Sequence, residues 1–205
     1  MSMVTFEPAR ELMLSFVFHL DRYMSLLLGS PLGIDERFTD AEPPLNLSLE
    51  GVTMPPDQFT TYSFLVCRHD LAQIMGDITQ KVFYLRAHPS YDVIRGLEDA
   101  LMRWSDSLPE PLRLHTYGKD PLLLDDDLTA TQRYLLSTEF NFTRIALHRH
   151  YLTRPDSAGQ YELSRDRCLQ AAMDDLWART IFSLPGLANL STGSYRVSSS
   201  ITILG

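Results

Sequence analysis

The chain has 205 residues, room for one domain or at most two, and its 44% hydrophobic against 21% charged residues supply enough apolar side chain for a packed core rather than wholesale disorder. Eighteen Lys and Arg against 26 Asp and Glu leave a net charge of −8 and a pI near 5.1, the wrong sign for a chain that must itself grip a phosphate backbone. Two distant cysteines, Cys67 and Cys168, exclude a CxxC pair, a four-thiolate zinc site and a disulfide framework.

The first residues carry no basic run ahead of an apolar core, so no secretory signal is expected. The most hydrophobic stretch, 12–28, holds His19, Asp21 and Arg22 in its middle, where each ionised group would cost a few kcal/mol in a bilayer, so no membrane span is expected. The same stretch reads as the first helix. Its polar or small positions Glu11, Ser15, His19, Arg22, Ser25 and Gly29 recur every three or four residues and form one narrow stripe, with apolar residues around most of the remaining circumference. That pattern predicts a central helix packed on most sides. Gly29 and Pro31 end it, and the prolines at 43, 44, 55 and 56 bracket an extended connection.

A second, amphipathic helix is predicted from Phe64 to Leu85. Phe64, Cys67, Leu71, Ile74, Ile78 and Val82 recur on its apolar face, and Asp70, Gln73, Asp77 and Lys81 on its polar one. His88-Pro89 closes it, because proline pushes the preceding residue out of the α region. The third helix starts near Tyr91 with Ile94, Leu97, Leu101, Trp104 and Leu108 at helical spacing, and Leu108-Pro109-Glu110-Pro111 stops it. After the acidic run 125–127, Thr129 to Gln132 offers a capping box for a fourth helix running to about Leu152, ended by Arg154-Pro155. A polar turn around Gly159 precedes a fifth helix marked by Leu169, Ala172 and Leu176, whose Ala171-Ala172 pair permits close approach of a neighbour. No strand alternation or repeat period intervenes. The expected fold class is all-α, an irregular domain of about five helices over 1–182, with a Ser-rich and disordered tail at 183–205.

Candidate chemistry is sparse. His148 and His150 lie two apart, roughly 200° around a helix, and cannot share one metal ion; they read as partly exposed histidines flanking a packing Arg149. Asp174-Asp175 and the 125–127 run lack the spacing of a magnesium-binding carboxylate pair and read as acidic residues near helix starts, where they suit the dipole. Cys67 reads as a small buried hydrophobe rather than a nucleophile. No nucleophile elbow or phosphate-cradling loop is present, so no catalytic, cofactor or metal residue is expected. The N-x-S/T triplets at Asn46, Asn141 and Asn189 read as chance. Asp21 falls on the apolar circumference of the first helix, where an unpaired carboxylate is costly. Either it is held by an arginine, with Arg144 or Arg149 as candidates and Arg22 pointing elsewhere, or it sits at an exposed boundary.

The segment Leu20-Asp21-Arg22-Tyr23-Met24-Ser25, continuing through Gly29, Pro31 and Ile34, resembles an L-D-R-x-x-S-x-x-x-G-R-P-x-x-I pattern. That pattern belongs to the middle homology region of fungal-specific transcription factors that carry a six-cysteine binuclear zinc cluster. The Trp104, Leu108, Pro109 segment resembles that family's W-x-x-x-L-P. The Ile145 to Leu152 segment, with His148 and Arg149, resembles L-L-H-R-P-F-L, and Cys168, Ala171 and Ala172 resemble C-x-x-A-A. Ser30 stands where the family usually has Arg, and His150 where it usually has Pro. The resemblance implies a nuclear regulatory domain, or a fragment of one, that modulates transcription without contacting DNA through this segment. Zinc is expected only in a DNA-binding cluster absent from this chain. Partners implied are proteins or a small-molecule effector, with no membrane, and self-association through apolar faces is expected. A helical lyase-like enzyme, or a partner-binding scaffold without regulatory activity, are the alternatives.

Overall fold

The computed structural model describes residues 7–35, 37, 42–84, 89–114, 127–155 and 159–182. They are helical with no sheet: α1 (Glu7–Leu28), α2 (Ser63–Ile78), α3 (Tyr91–Ser107), α4 (Asp127–His148) and α5 (Glu162–Phe182), as expected of an all-α chain. The acidic residues 125 and 126, Asn189 and the Ser-rich 183–205 lie outside the described residues. None of the described helices is long and apolar enough to cross a membrane. The chain divides into two compact units, Met1–Pro109 and Glu110–Gly205.

In the first unit α1 packs on α2, and α2 on α3. Phe64, Leu71 and Ile78 of the expected α2 stripe and Ile94, Leu97 and Leu101 of the α3 stripe are buried, whereas Cys67, Ile74 and Val82 are half-buried and Met75, outside the expected stripe, is fully buried; Asp70, Gln73, Asp77 and Lys81 are exposed. α2 ends in a π-helical turn, Thr79–Phe83, where the Thr79 hydroxyl donates to the Met75 carbonyl at 2.8 Å. Trp104 donates its indole N–H to the Cys67 carbonyl at 2.9 Å, and α3 stops at Leu108, whose backbone is extended because Pro109 follows. The connection from α1 to α2 is pinned by Asn46. Its amide donates to the carbonyls of Pro55 and Gln58 at 3.0 and 2.9 Å and its oxygen accepts from the Thr60 and Ser63 hydroxyls at 2.6 and 3.0 Å.

In the second unit α4 and α5 form an antiparallel pair. Tyr134 near the start of α4 stacks on Phe182 at the end of α5, ring centroids 4.0 Å apart, and His148 at the end of α4 meets Ser164 in the first turn of α5. Arg133 fixes the short 3-10 turn Glu110–Leu112 by donating twice to the Pro111 carbonyl, at 2.9 and 2.7 Å. α4 starts at Asp127, so Thr129 lies inside the helix and is not its cap, and the α-helical run stops at His148 with a 3-10 turn, Arg149–Tyr151, beyond it.

Candidate functional site

The first motif builds a latch at the end of α1, and the helix is turned opposite to expectation. Ser15, His19, Arg22 and Ser25, the polar stripe, are buried. Met13, Phe16, Val17, Leu20, Met24 and Leu28 on the far side are exposed, so α1 is not packed on most sides. Periodicity marks a face that differs from the rest of a helix, and the polar face is the one for which this fold supplies partners.

Those partners come largely from the loop that follows. Gly29 adopts a left-handed φ of +66°, which reverses the chain, and the Ser30 amide donates to the Ser25 carbonyl at 3.1 Å, the bond of a Schellman helix end. The Ser25 hydroxyl donates to the Pro31 carbonyl at 3.1 Å. The loop then lies along the helix, and the amides of Gly33 and Ile34 donate to the two oxygens of Asp21 at 2.8 and 3.3 Å. Arg22 is 1% exposed. It ion-pairs with Asp21, donates to the Ile34 carbonyl at 2.8 Å, and lies 4.2 Å over the Phe18 ring. The carboxylate partner is therefore the sequence neighbour Arg22, not Arg144 or Arg149. A helical wheel sets Asp21 and Arg22 about 100° apart, but the folded-back loop lets a long guanidinium reach round to it.

Two glycines make this geometry possible and had no marker in the sequence. A Cβ on Gly33 would lie 2.8 Å from the Asp21 Oδ1, and a Cβ on Gly76 of α2 would lie 3.1 Å from the Arg22 Nε. Their spacing matches no local motif, because each is small on account of a residue far away in sequence. Farther along the α1–α2 contact, Phe18 stacks on His69 with centroids 4.8 Å apart, and the Ser15 hydroxyl lies 3.4 Å from the His69 Nδ1. Within the first segment Leu20 and Met24 point away, on the exposed side.

Beside the latch lies a cleft of about 760 Å³, lined by Arg22, Pro31, Ile34 and Asp35 on one side and by Gln73, Gly76, Asp77, Gln80 and Tyr84 on the other. Arg37 donates to both Asp35 oxygens and holds that carboxyl down at about 2, through its side-chain hydrogen bond first and its backbone amide next. Polar groups of the π-helical region therefore face a polar loop.

The remaining motif residues are packing elements. Trp104 and Leu108 are buried at the end of α3. Cys168, Ala171 and Ala172 pack against Ile145 and Leu152, so the third and fourth motifs meet across the α4–α5 seam, and the alanine pair admits the close approach expected of it. Leu169, one of the apolar markers of the fifth helix, is exposed. His148 is fully buried, its Nδ1 2.9 Å from the Ser164 hydroxyl, whereas Arg149 and His150 are exposed. The helix ends between His148 and Arg149, and that break replaces the expected pattern of two part-exposed histidines around a packing arginine. Asp174 and Asp175 are buried in mid-α5, not at a helix start. Asp174 accepts from Gln170 at 3.0 Å, and Asp175 binds Arg179 through both oxygens at 2.8 and 3.1 Å. Burial pushes the Cys67 thiol up to about 12, with the Asp70 charge adding to it, and pushes Cys168 up to about 11. Both are poor nucleophiles at neutral pH. Among the described residues no group of three or more His, Cys, Asp or Glu is placed to hold a metal ion.

No protein-family model matches the chain, and no solved structure matches it. Curated relatives do. Activator of stress genes 1 of Saccharomyces cerevisiae is 29% identical over 196 residues, 87% of this chain and 19% of that protein. The Zn(2)-C6 fungal-type transcription factor mpsB of Macrophomina phaseolina is 27% identical over 169 residues, 77% of this chain and 22% of that protein. The equisetin cluster transcription factor eqxF of Fusarium heterosporum is 26% identical over 182 residues, 84% of this chain and 25% of that protein. The chain thus spans about a fifth to a quarter of the length of these relatives, which are named as fungal activators and transcription factors.

Proposed function

We propose that this chain is a regulatory segment of a fungal transcription factor of the binuclear zinc cluster kind, acting in the nucleus to modulate transcription while another part of such a factor reads DNA. The observation that carries the reading is the latch. Asp21, Arg22, Ser25, Gly29, Pro31 and Ile34, the residues of the family-like motif, are the ones that tie the α1 end to its loop, and similarity to fungal regulators runs across most of the chain. The net charge of −8 fits a module that stays off the phosphate backbone. In this reading zinc belongs to a cluster outside the chain, and the chain performs no catalysis of its own.

Regulation on this scaffold is a population shift. A helix end held by one ion pair and a few loop hydrogen bonds can exchange between held and released packings, and an effector moves that balance only by its difference in affinity for the two. The cleft beside the latch shares Arg22 and Ile34 with it, so a small molecule or peptide seated there would bear directly on the held state. The test is a reporter in yeast, with the chain fused to a heterologous DNA-binding and activation pair. The expected result is that the fusion changes reporter output and that Arg22→Ala changes it again at equal protein level. Output indifferent to both the chain and the substitution would overturn the regulatory reading.

A further inference from the structure

We propose that Ser30 is a phosphorylation site for a proline-directed serine/threonine kinase, and that its phosphate keeps the latch released. The proposal rests on the reading of the latch as an element that exchanges between held and released packings, and adds the covalent mark that holds it open. Ser30-Pro31 is the sole Ser-Pro or Thr-Pro pair in the chain. It sits in the loop between Gly29 and Gly33, where Gly29 and Pro31 are exposed and Ser30 is half-buried. Among the described residues the Ser30 hydroxyl makes no hydrogen bond, whereas Ser15 and Ser25 of the adjoining helix are buried and bonded.

The backbone on either side of Ser30 decides when that hydroxyl can react. A kinase takes its substrate as an extended segment and contacts it on both sides of the acceptor. In the held loop both sides are occupied, because the Ser30 amide donates to the Ser25 carbonyl at 3.1 Å and the Pro31 carbonyl accepts from the Ser25 hydroxyl at 3.1 Å. The substrate is therefore the released loop, with Gly29 and Gly33 free to let it extend. In the transfer the Ser30 oxygen bonds to the γ-phosphorus of ATP and the bond from that phosphorus to the bridging oxygen breaks. ADP leaves, and the hydroxyl proton passes to the catalytic base of the kinase.

Once in place, the phosphate opposes recapture of the loop. Ser30 is the second residue past the end of α1, where the last carbonyls carry the negative end of the helix dipole, and a phosphoserine brings a charge of about −1.5 to −2 at neutral pH. The loop, which carries Asp35, must also close on the Asp21 carboxylate. The cations at hand are engaged, Arg22 with Asp21 and Arg37 with Asp35. Where the pattern that this segment resembles has Arg, a fixed cation suits the dipole at the helix end; a serine there makes the charge changeable, from neutral to dianionic.

Mass spectrometry of the full chain after incubation with a proline-directed kinase and magnesium ATP tests the site. Hydrogen exchange of the Gly33 and Ile34 amides, the donors to Asp21, tests the consequence. The wild type is expected to gain a single phosphoryl group on Ser30, and Ser30→Ala none. Arg22→Ala is expected to be modified about tenfold faster or more. Ser25→Ala, which loses only the hydroxyl bond to the Pro31 carbonyl, is expected to fall between that variant and the wild type with unchanged circular dichroism, which separates latch release from global unfolding. In the fully phosphorylated wild type the two amides are expected to exchange about tenfold faster, and a phosphatase to restore the slow rate. A Ser30 that stays unmodified in the native chain, equal rates in the wild type and both latch variants, or amides that exchange alike with and without the phosphate would overturn the proposal. These outcomes are separate from the reporter assay, because the latch can be marked without a change in output, and output can depend on the chain with Ser30 unmodified.

Discussion

α1 and α4 are both 22 residues long, and both bury polar side chains, but by different means. α1 buries one polar stripe and leaves the opposite side bare, and the groups that satisfy the stripe belong to the next loop and to α2. α4 is buried round its whole circumference from Gln132 to His148, with Leu135 alone partly exposed. Two of its buried hydroxyls bond within the helix itself. The Thr143 and Thr138 hydroxyls donate to the carbonyls of Glu139 and Leu135 at 2.7 and 3.0 Å, a local bond to the preceding turn that lets a threonine hydroxyl be buried. The stripe on α1 is held by a charged latch to the next loop, whereas in α4 Thr138 and Thr143 are held by neutral bonds to the preceding turn.

The largest test of that contrast is Arg22→Ala. It removes the cation from a part-buried carboxylate and leaves space against Gly76 and Phe18, and breaking such a pair costs about 3 kcal/mol or more. Urea unfolding of the variant checks it, and a loss below about 1 kcal/mol would mean that the loop amides hold Asp21 without the arginine. His148→Ala in the second unit deletes a fully buried ring and its contact with the Ser164 hydroxyl. It is expected to cost about 2 kcal/mol, less than the latch because no charge is left behind, and a cost above that of Arg22→Ala would reverse the ranking.

A smaller effect tests the buried thiols. Both cysteines have folded values raised above the ordinary thiol value of 9, so above pH 9 the unfolded chain loses protons that the folded chain keeps. Stability must then fall with rising pH, by at most about 1.4 kcal/mol per pH unit for each thiol, between pH 9 and about 11. Urea midpoints of the wild type and of the Cys67→Ser/Cys168→Ser variant across that window check it. Equal alkaline slopes in the two would show that the thiols are not the cause.

The five helices were legible in the sequence because α2 and α3 carry strong stripes, and because Gly29, Pro89, Pro109 and Pro155 punctuate the chain where few other residues could. The inward side of α1 was not legible. A wheel separates faces without saying which is inside, and here the deciding groups are the amides of Gly33 and Ile34, which reach Asp21 only after Gly29 turns the chain. Gly33 and Gly76 were hidden for the same reason, their smallness being required by Asp21 and Arg22 across the fold. Buried His148 escaped notice because it ends its helix, and whether a terminal residue points in or out depends on where the next turn goes.

The orientation of α1 is the central claim, and thiol labelling in dilute solution tests it most directly, since the native cysteines are themselves protected. Ser15→Cys and Ser25→Cys, conservative changes on the polar stripe, are expected to label as slowly as Cys168, while Leu20→Cys labels at a rate near that of Leu49→Cys. Fast labelling at positions 15 and 25 with protection at position 20 would mean that the helix is turned the other way.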